Sequence, residues 1–191
     1  MGFFDSFLKK TLAAEGSAAS TATIPPRPVT QFIDTPESFQ PMADNIVPPL
    51  VDMLLALSDL EEEIGRRFDA LNEKKLAMGI PRGQVAPGWE ELWAEYRTRF
   101  YAIAAPLCTE KLLNRGYARS CGYPTEYGYL AGECQLFFTM NSNKRAMVVT
   151  RYHESIDKAH QFVLRPIDGI WKIDKVSYSY GNEPTWHITE I

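Results

Sequence analysis

Little in this chain announces a chemistry. Its three cysteines, Cys108, Cys121 and Cys134, stand 13 residues apart. They lack the close pairing of structural metal ligands or redox dithiols, so they read as core or free thiols. The three histidines, His153, His160 and His187, include no i, i+4 pair, and no metal site can be drawn from them. There is no Gly-x-Gly-x-x-Gly or Walker-type phosphate loop, and no Gly-x-Ser-x-Gly nucleophile elbow. Dinucleotide binding, P-loop hydrolysis and α/β-hydrolase chemistry therefore have no starting point, and no cofactor is expected. No apolar run approaches the ~20 residues of a membrane span, and the opening residues lack the uninterrupted apolar core of a signal peptide. A cytoplasmic protein without stable membrane insertion is the expectation.

What is present is a composition that can fold. Of 191 residues, 45% are hydrophobic and 12% aromatic, enough to offset the ordering entropy of one ordinary domain. The net charge of -4 is unevenly placed: residues 1–110 carry 16 acids and 10 bases, residues 111–191 carry 8 acids and 10 bases. An acidic first half disfavours direct nucleic-acid binding and would favour a basic partner.

Two stretches are expected along the chain, an appended segment over 1–43 and a compact domain over 44–191. The opening Met-Gly-Phe-Phe-Asp-Ser fits the short N-myristoylation pattern, with Gly2 as acceptor and Ser6 downstream. Phe3, Phe4, Phe7 and Leu8 recur at helical spacing, which suits a short amphipathic helix, either packed on the domain or used as an anchor. Ala, Ser and Thr then dominate residues 13–23, and five prolines fall within 24–41, as in an extended linker or strap. From Ile46 to Met78, Leu50, Leu54, Leu57, Ile64, Phe68 and Leu71 form one helical stripe. Pro48 and Pro49 suit only its first turn, and Ser58 with Glu61 has the capping-box spacing at which a helix could break or restart. Trp89, Leu92, Trp93, Tyr96, Phe100 and Ile103 mark a second helix; Pro106 could open a short third one that Gly116 would close. Beyond Gly116 the period becomes alternating. Residues 133–140, 145–153, 159–165 and 170–180 read as four strands joined too tightly for helical crossovers, hence an antiparallel meander. Asp168-Gly169 is the strongest hairpin signal. The layout is α+β, three helices covering a sheet that must curve to wrap them.

This order, closing on Asp168-Gly169-Ile170-Trp171-Lys172-Ile173-Asp174-Lys175-Val176, resembles the nuclear-transport-factor-2-like (NTF2-like) superfamily, whose fold is a cone of helices on a bent sheet. Within that superfamily, Gly122-Tyr123-Pro124-Thr125-Glu126-Tyr127, Arg151-Tyr152-His153-Glu154 and Phe162-Val163-Leu164-Arg165-Pro166 look like the bacterial NTF2-fold immunity proteins of polymorphic toxin systems. The resemblance implies a non-catalytic protein of bacterial competition that binds a cognate secreted toxin domain, often a nuclease, and masks its active surface. Toxin-binding candidates are Asp59, Glu61, Glu62, Glu63, Tyr123, Glu126, Tyr127 and Trp186, with Tyr178 and Tyr180 as further aromatic anchors. The acidic run 59–63 is equally explained as the charged first turn of a helix.

The same superfamily contains isomerases and dehydratases, so a small-molecule enzyme is the alternative. Its pocket candidates are Arg151, His153 and His160. Arg151 and His153 share a strand face and are expected to point inward with Met147 and Val149, unless a bulge reverses the parity. No compelling acid–base pair emerges, and the histidines read as readily as cross-strand polar residues. A third expectation is a homodimer formed through the exposed sheet face.

Overall fold

The computed structural model describes residues 28–115, 121, 125–181, 183 and 185–191. The expected amphipathic helix and most of the linker, together with Gly116 and Tyr123, lie outside the described residues. The chain is mixed α+β: β1 (Thr30–Phe32), α1 (Ala43–Ala77), α2 (Trp89–Ala104), α3 (Glu110–Leu113), β2 (Cys134–Ser142), β3 (Arg145–His153), β4 (Asp157–Ile167), β5 (Ile170–Tyr180) and β6 (His187–Thr189). Short 3-10 turns at Glu37–Met42 and Gly128–Ala131 lead into α1 and β2.

α1 runs unbroken for 35 residues, so the expected restart at Ser58–Glu61 does not occur. Ser58 is buried and donates to Thr125 Oγ1 at 2.7 Å instead of capping. The prolines lie past the first turn, since α1 starts at Ala43. Each removes one amide donor, and the residues whose carbonyls lose that donor, Asp44 and Asn45, are exposed to water. The α2 stripe is as the spacing requires: Leu92, Tyr96, Phe100 and Ala104 are buried, while Trp89 and Trp93 close on Phe68 of α1, with ring centroids 4.4 and 5.9 Å away. Pro106 lies in a turn ahead of α3, whose cap is Thr109, its hydroxyl accepting from Leu112 N at 3.2 Å.

The six described strands follow the order β1-β2-β3-β4-β5-β6. β2 to β5 form the expected antiparallel meander. Two short edge strands were not legible: β1 pairs parallel with β2, and β6 pairs antiparallel with β5. Residues ahead of Asp44 thus contribute a strand to the sheet. Asp168 and Gly169 both take positive φ, 51° and 79°, as the tightest hairpin turns demand. A bulge opposite Val163/Leu164 inserts Asp174 into β5. The inward set consequently shifts from Ile173 to Val176, and Asp174 bonds Arg165 at 3.1 Å and Thr109 at 3.4 Å.

On β3 the buried parity is Ala146, Val148, Thr150 and Tyr152, the opposite of the expected one. Arg151 and His153 lie on the outer face. The reason is pairing: Ala146, Val148 and Thr150 sit opposite Leu164, Phe162 and His160, and the bulky Phe162 and Leu164 belong with the core. Leu136, Phe138, Val148, Phe162, Ile173 and Val176 join Leu50, Leu54, Leu57 and Ile64 of α1 in a single buried cluster. Phe162 is fully buried there, so Phe162→Ala should lower unfolding free energy by about 3–5 kcal/mol. Urea denaturation measures it, and a loss below about 1 kcal/mol would contradict this placement of the core.

Candidate functional site

The helix-facing side of the sheet changes character toward one end. Aliphatic residues give way to Thr150, Tyr152, His160 and Tyr178, and the segment from Thr125 to Ala131 crosses above them. α1 holds that segment through polar groups. Besides the Ser58–Thr125 bond, the Glu126 amide donates to Glu61 Oε2 at 3.4 Å and the Cys121 thiol contacts the Glu61 carbonyl at 3.7 Å. Gly128 is a steric requirement of this approach, because a Cβ there would stand 2.9 Å from Thr125 Oγ1.

The segment delivers three side chains. Tyr127 is fully buried against His160 and Phe162, at centroid distances of 5.5 and 6.1 Å, and its hydroxyl has no partner among the described residues. Tyr129 stacks flat on Tyr152, 3.7 Å between centroids and 1° between planes. Its hydroxyl lies 2.7 Å from Thr150 Oγ1 and 3.1 Å from His160 Nδ1. The other imidazole nitrogen, Nε2, lies 3.2 Å from Glu126 Oε1. A hydrogen-bonded line therefore runs Thr150, Tyr129, His160, Glu126, from a buried hydroxyl to a carboxylate that is 43% exposed. The neutral Nε2–H tautomer satisfies every contact: the imidazole donates to Glu126 and accepts from Tyr129.

Glu126 borders a recess of about 490 Å³ walled by Thr125, Tyr152, Glu154, Lys158, His160, Ser179, Tyr178 and Tyr180. Lys158 is held by Glu154 at 2.5 Å. A second cavity, about 280 Å³, lies between the start of α1 and the β4–β5 hairpin. Its lining is mostly aliphatic, with Asn45 and Trp171 as the polar side chains, so it offers few convergent polar groups.

Burial sets the ionisation of the hydroxyls and thiols around the site. Burial pushes the Tyr127 and Tyr129 phenols well above their usual range, against the lowering effect of the Thr150 contact on Tyr129, and Tyr152 rises for the same reason. These hydroxyls keep their protons near neutral pH and act as donors, not as bases. The thiols are no better as nucleophiles: burial pushes Cys108 up to about 12 and Cys121 up to about 11, and raises Cys134.

Of the residues singled out from sequence, Glu126, Tyr127 and His160 come together here, and Tyr178 and Tyr180 join them. Arg151 instead lies over Phe137 on the outer face, 5.2 Å from the ring centroid, and the exposed His153 bonds Asp157 at 2.7 Å. Trp186 is half-buried just ahead of β6. The acidic run is not one open patch. Asp59 is exposed, but Glu61 is only 9% exposed and Glu62 pairs with Arg66. Glu63 pairs with Arg99 at 2.6 Å, beside Arg67 and Glu95 at 2.7 Å. Sequence reasoning passed over Tyr129, Thr150 and Tyr152. Two signals could have found them: Tyr129 repeats Tyr127 two residues on, and Thr150 and Tyr152 continue the alternation begun by Ala146 and Val148. No family model, curated protein or solved structure matches the chain.

The α1–α2 ion-pair quartet carries a pH signature. Hydrogen bonding to Arg67 lowers Glu95 from 4.5 to about 2, and Arg99 lowers Glu63. Their folded pKa values are depressed, so the stabilisation is present above about 4.5 and is lost as pH falls toward 2. Being exposed, the pairs contribute modestly and are screened by salt. Thermal melts between pH 5 and pH 2 should show a shallower decline for Glu95→Gln than for the wild type; parallel declines would remove the quartet as the cause.

Proposed function

We propose that this protein is an NTF2-like immunity protein. It binds a cognate secreted antibacterial toxin, of nuclease type, in the cytoplasm and masks its active surface. The observation that carries the reading is convergence. Two of the sequence segments behind the resemblance, far apart in the chain, meet at one recess: Glu126 from the first, and Tyr152 and Glu154 from the second, with Tyr127 packed directly beneath. The order of α1 and α2 followed by a bent meander supports the NTF2-like cone.

Physical chemistry fits a binding surface at that place. Tyr178 and Tyr180 offer rigid amphipathic area at low entropy cost, as interface anchors do. Glu126 adds negative charge that suits a basic nucleic-acid-binding protein, while Glu154 is already paired with Lys158. Charge steering by the 59–63 run contributes less, because Glu62 and Glu63 already have cationic partners.

A small-molecule isomerase or dehydratase is the second reading, and the Glu126–His160 contact favours it. The two readings separate experimentally. Co-expression should protect cells from one toxin encoded beside this gene, and the purified proteins should form a one-to-one complex by light scattering. Glu126→Lys should abolish protection without unfolding the protein. A failure to neutralise every adjacent toxin would sink the immunity reading, and turnover of a small carbonyl or hydroxy compound that Glu126→Gln removes would install the enzyme in its place.

A further inference from the structure

We propose that the tyrosine-lined recess is a socket for one arginine side chain of the partner protein. The inference rests on the partner-binding reading above and specifies what enters the site.

Charge sets the sign of the occupant. The recess is lined by two carboxylates, Glu126 and Glu154, and one ammonium, Lys158. Lys158 and Glu154 are paired at 2.5 Å. Glu126 has no lysine or arginine partner among the described residues; its neighbour is the His160 imidazole. Of that carboxylate, Oε1 faces His160 Nε2 at 3.2 Å, and the side chain is 43% exposed. His160 is 4% exposed and fixed from behind by Tyr129, so Glu126 is a pre-positioned acceptor, and binding need not order it.

Shape selects arginine over lysine. Tyr152 lines the recess, 8% exposed and fixed by stacking on Tyr129 at 3.7 Å. Tyr178 and Tyr180 meet at 65° with centroids 5.1 Å apart, which presents ring surfaces in two directions. A guanidinium is planar, stacks on tyrosine, and can engage a carboxylate with two donors, whereas an ammonium is a hydrated point charge. At about 490 Å³ the recess is larger than one guanidinium fills and admits the turn that carries it. A nuclease's phosphate-binding arginine is the kind of group whose capture would disarm the toxin.

The test uses the full chain. ¹⁵N-resolved NMR is recorded while N-acetyl-arginine-amide is added, then repeated with N-acetyl-citrulline-amide, which keeps the shape and loses the charge. Saturable shifts are expected in residues 125–131 and 176–180. Citrulline, the lysine analogue, and the Glu126→Gln and Tyr178→Ala proteins should each bind at least about tenfold more weakly. Equal binding of arginine and citrulline, or shifts confined to the outer sheet face, would overturn the socket. Toxin affinity then separates the two claims. Glu126→Gln and Tyr178→Ala proteins that keep wild-type toxin affinity overturn the socket and leave the immunity reading standing. A wild-type protein that takes the arginine probe but neutralises no adjacent toxin supports the socket and overturns the immunity reading.

Discussion

The attachment of α1 to the segment 125–131 through Ser58 and Glu61 is the constraint on which the site depends. α1 is otherwise a helix that buries an aliphatic stripe against a sheet, and burial alone would let the segment above slide. Two polar contacts fix it. Ser58 donates to Thr125, and the Glu61 carboxylate receives the Glu126 amide while also holding the Tyr96 hydroxyl of α2. A largely buried carboxylate is tolerable only because donors surround it. Once the backbone is pinned at 125 and 126, Gly128 allows the tight crossing, and Tyr127 and Tyr129 can only fall onto Phe162, His160 and Tyr152.

The consequence is a graded interior. Near the β4–β5 hairpin the helix-facing side is aliphatic; toward the other end it becomes Thr150, His160 and Tyr178, and water reaches it. The hydrogen-bonded line across this end has hydroxyls that hold their protons at its buried terminus and a carboxylate at its open one. Such a line is suited to fixing an acceptor in space.

Much of the fold could be read from residue spacing. The two-residue alternation gave β2 to β5 nearly to their ends, and the aromatic stripe of α2 needed no tertiary information. Legibility failed where local signals compete. Ser58 and Glu61 have the spacing of a cap, yet in the middle of a buried helix the same side chains serve a distant segment, and nothing local distinguishes the two uses. The inward expectation for Arg151 and His153 failed because parity on a strand is decided by the partner strand, here by Phe162 and Leu164 of β4. β1 and β6, three residues each, are too short to show a period. Within the site, Glu126 and His160 were visible as isolated candidates; Tyr129, which joins them, was hidden in a tyrosine-rich loop.

Partner recognition is proposed at the end of the sheet where Glu126 and His160 meet. Hydrogen–deuterium exchange on the protein, free and mixed with the toxin proposed as its partner, is the direct test. New protection is expected in residues 125–131, 152–160 and 176–181, with α1 and α2 unchanged on their solvent side. Protection confined to that solvent side, around Asp59 and Glu62, would contradict it.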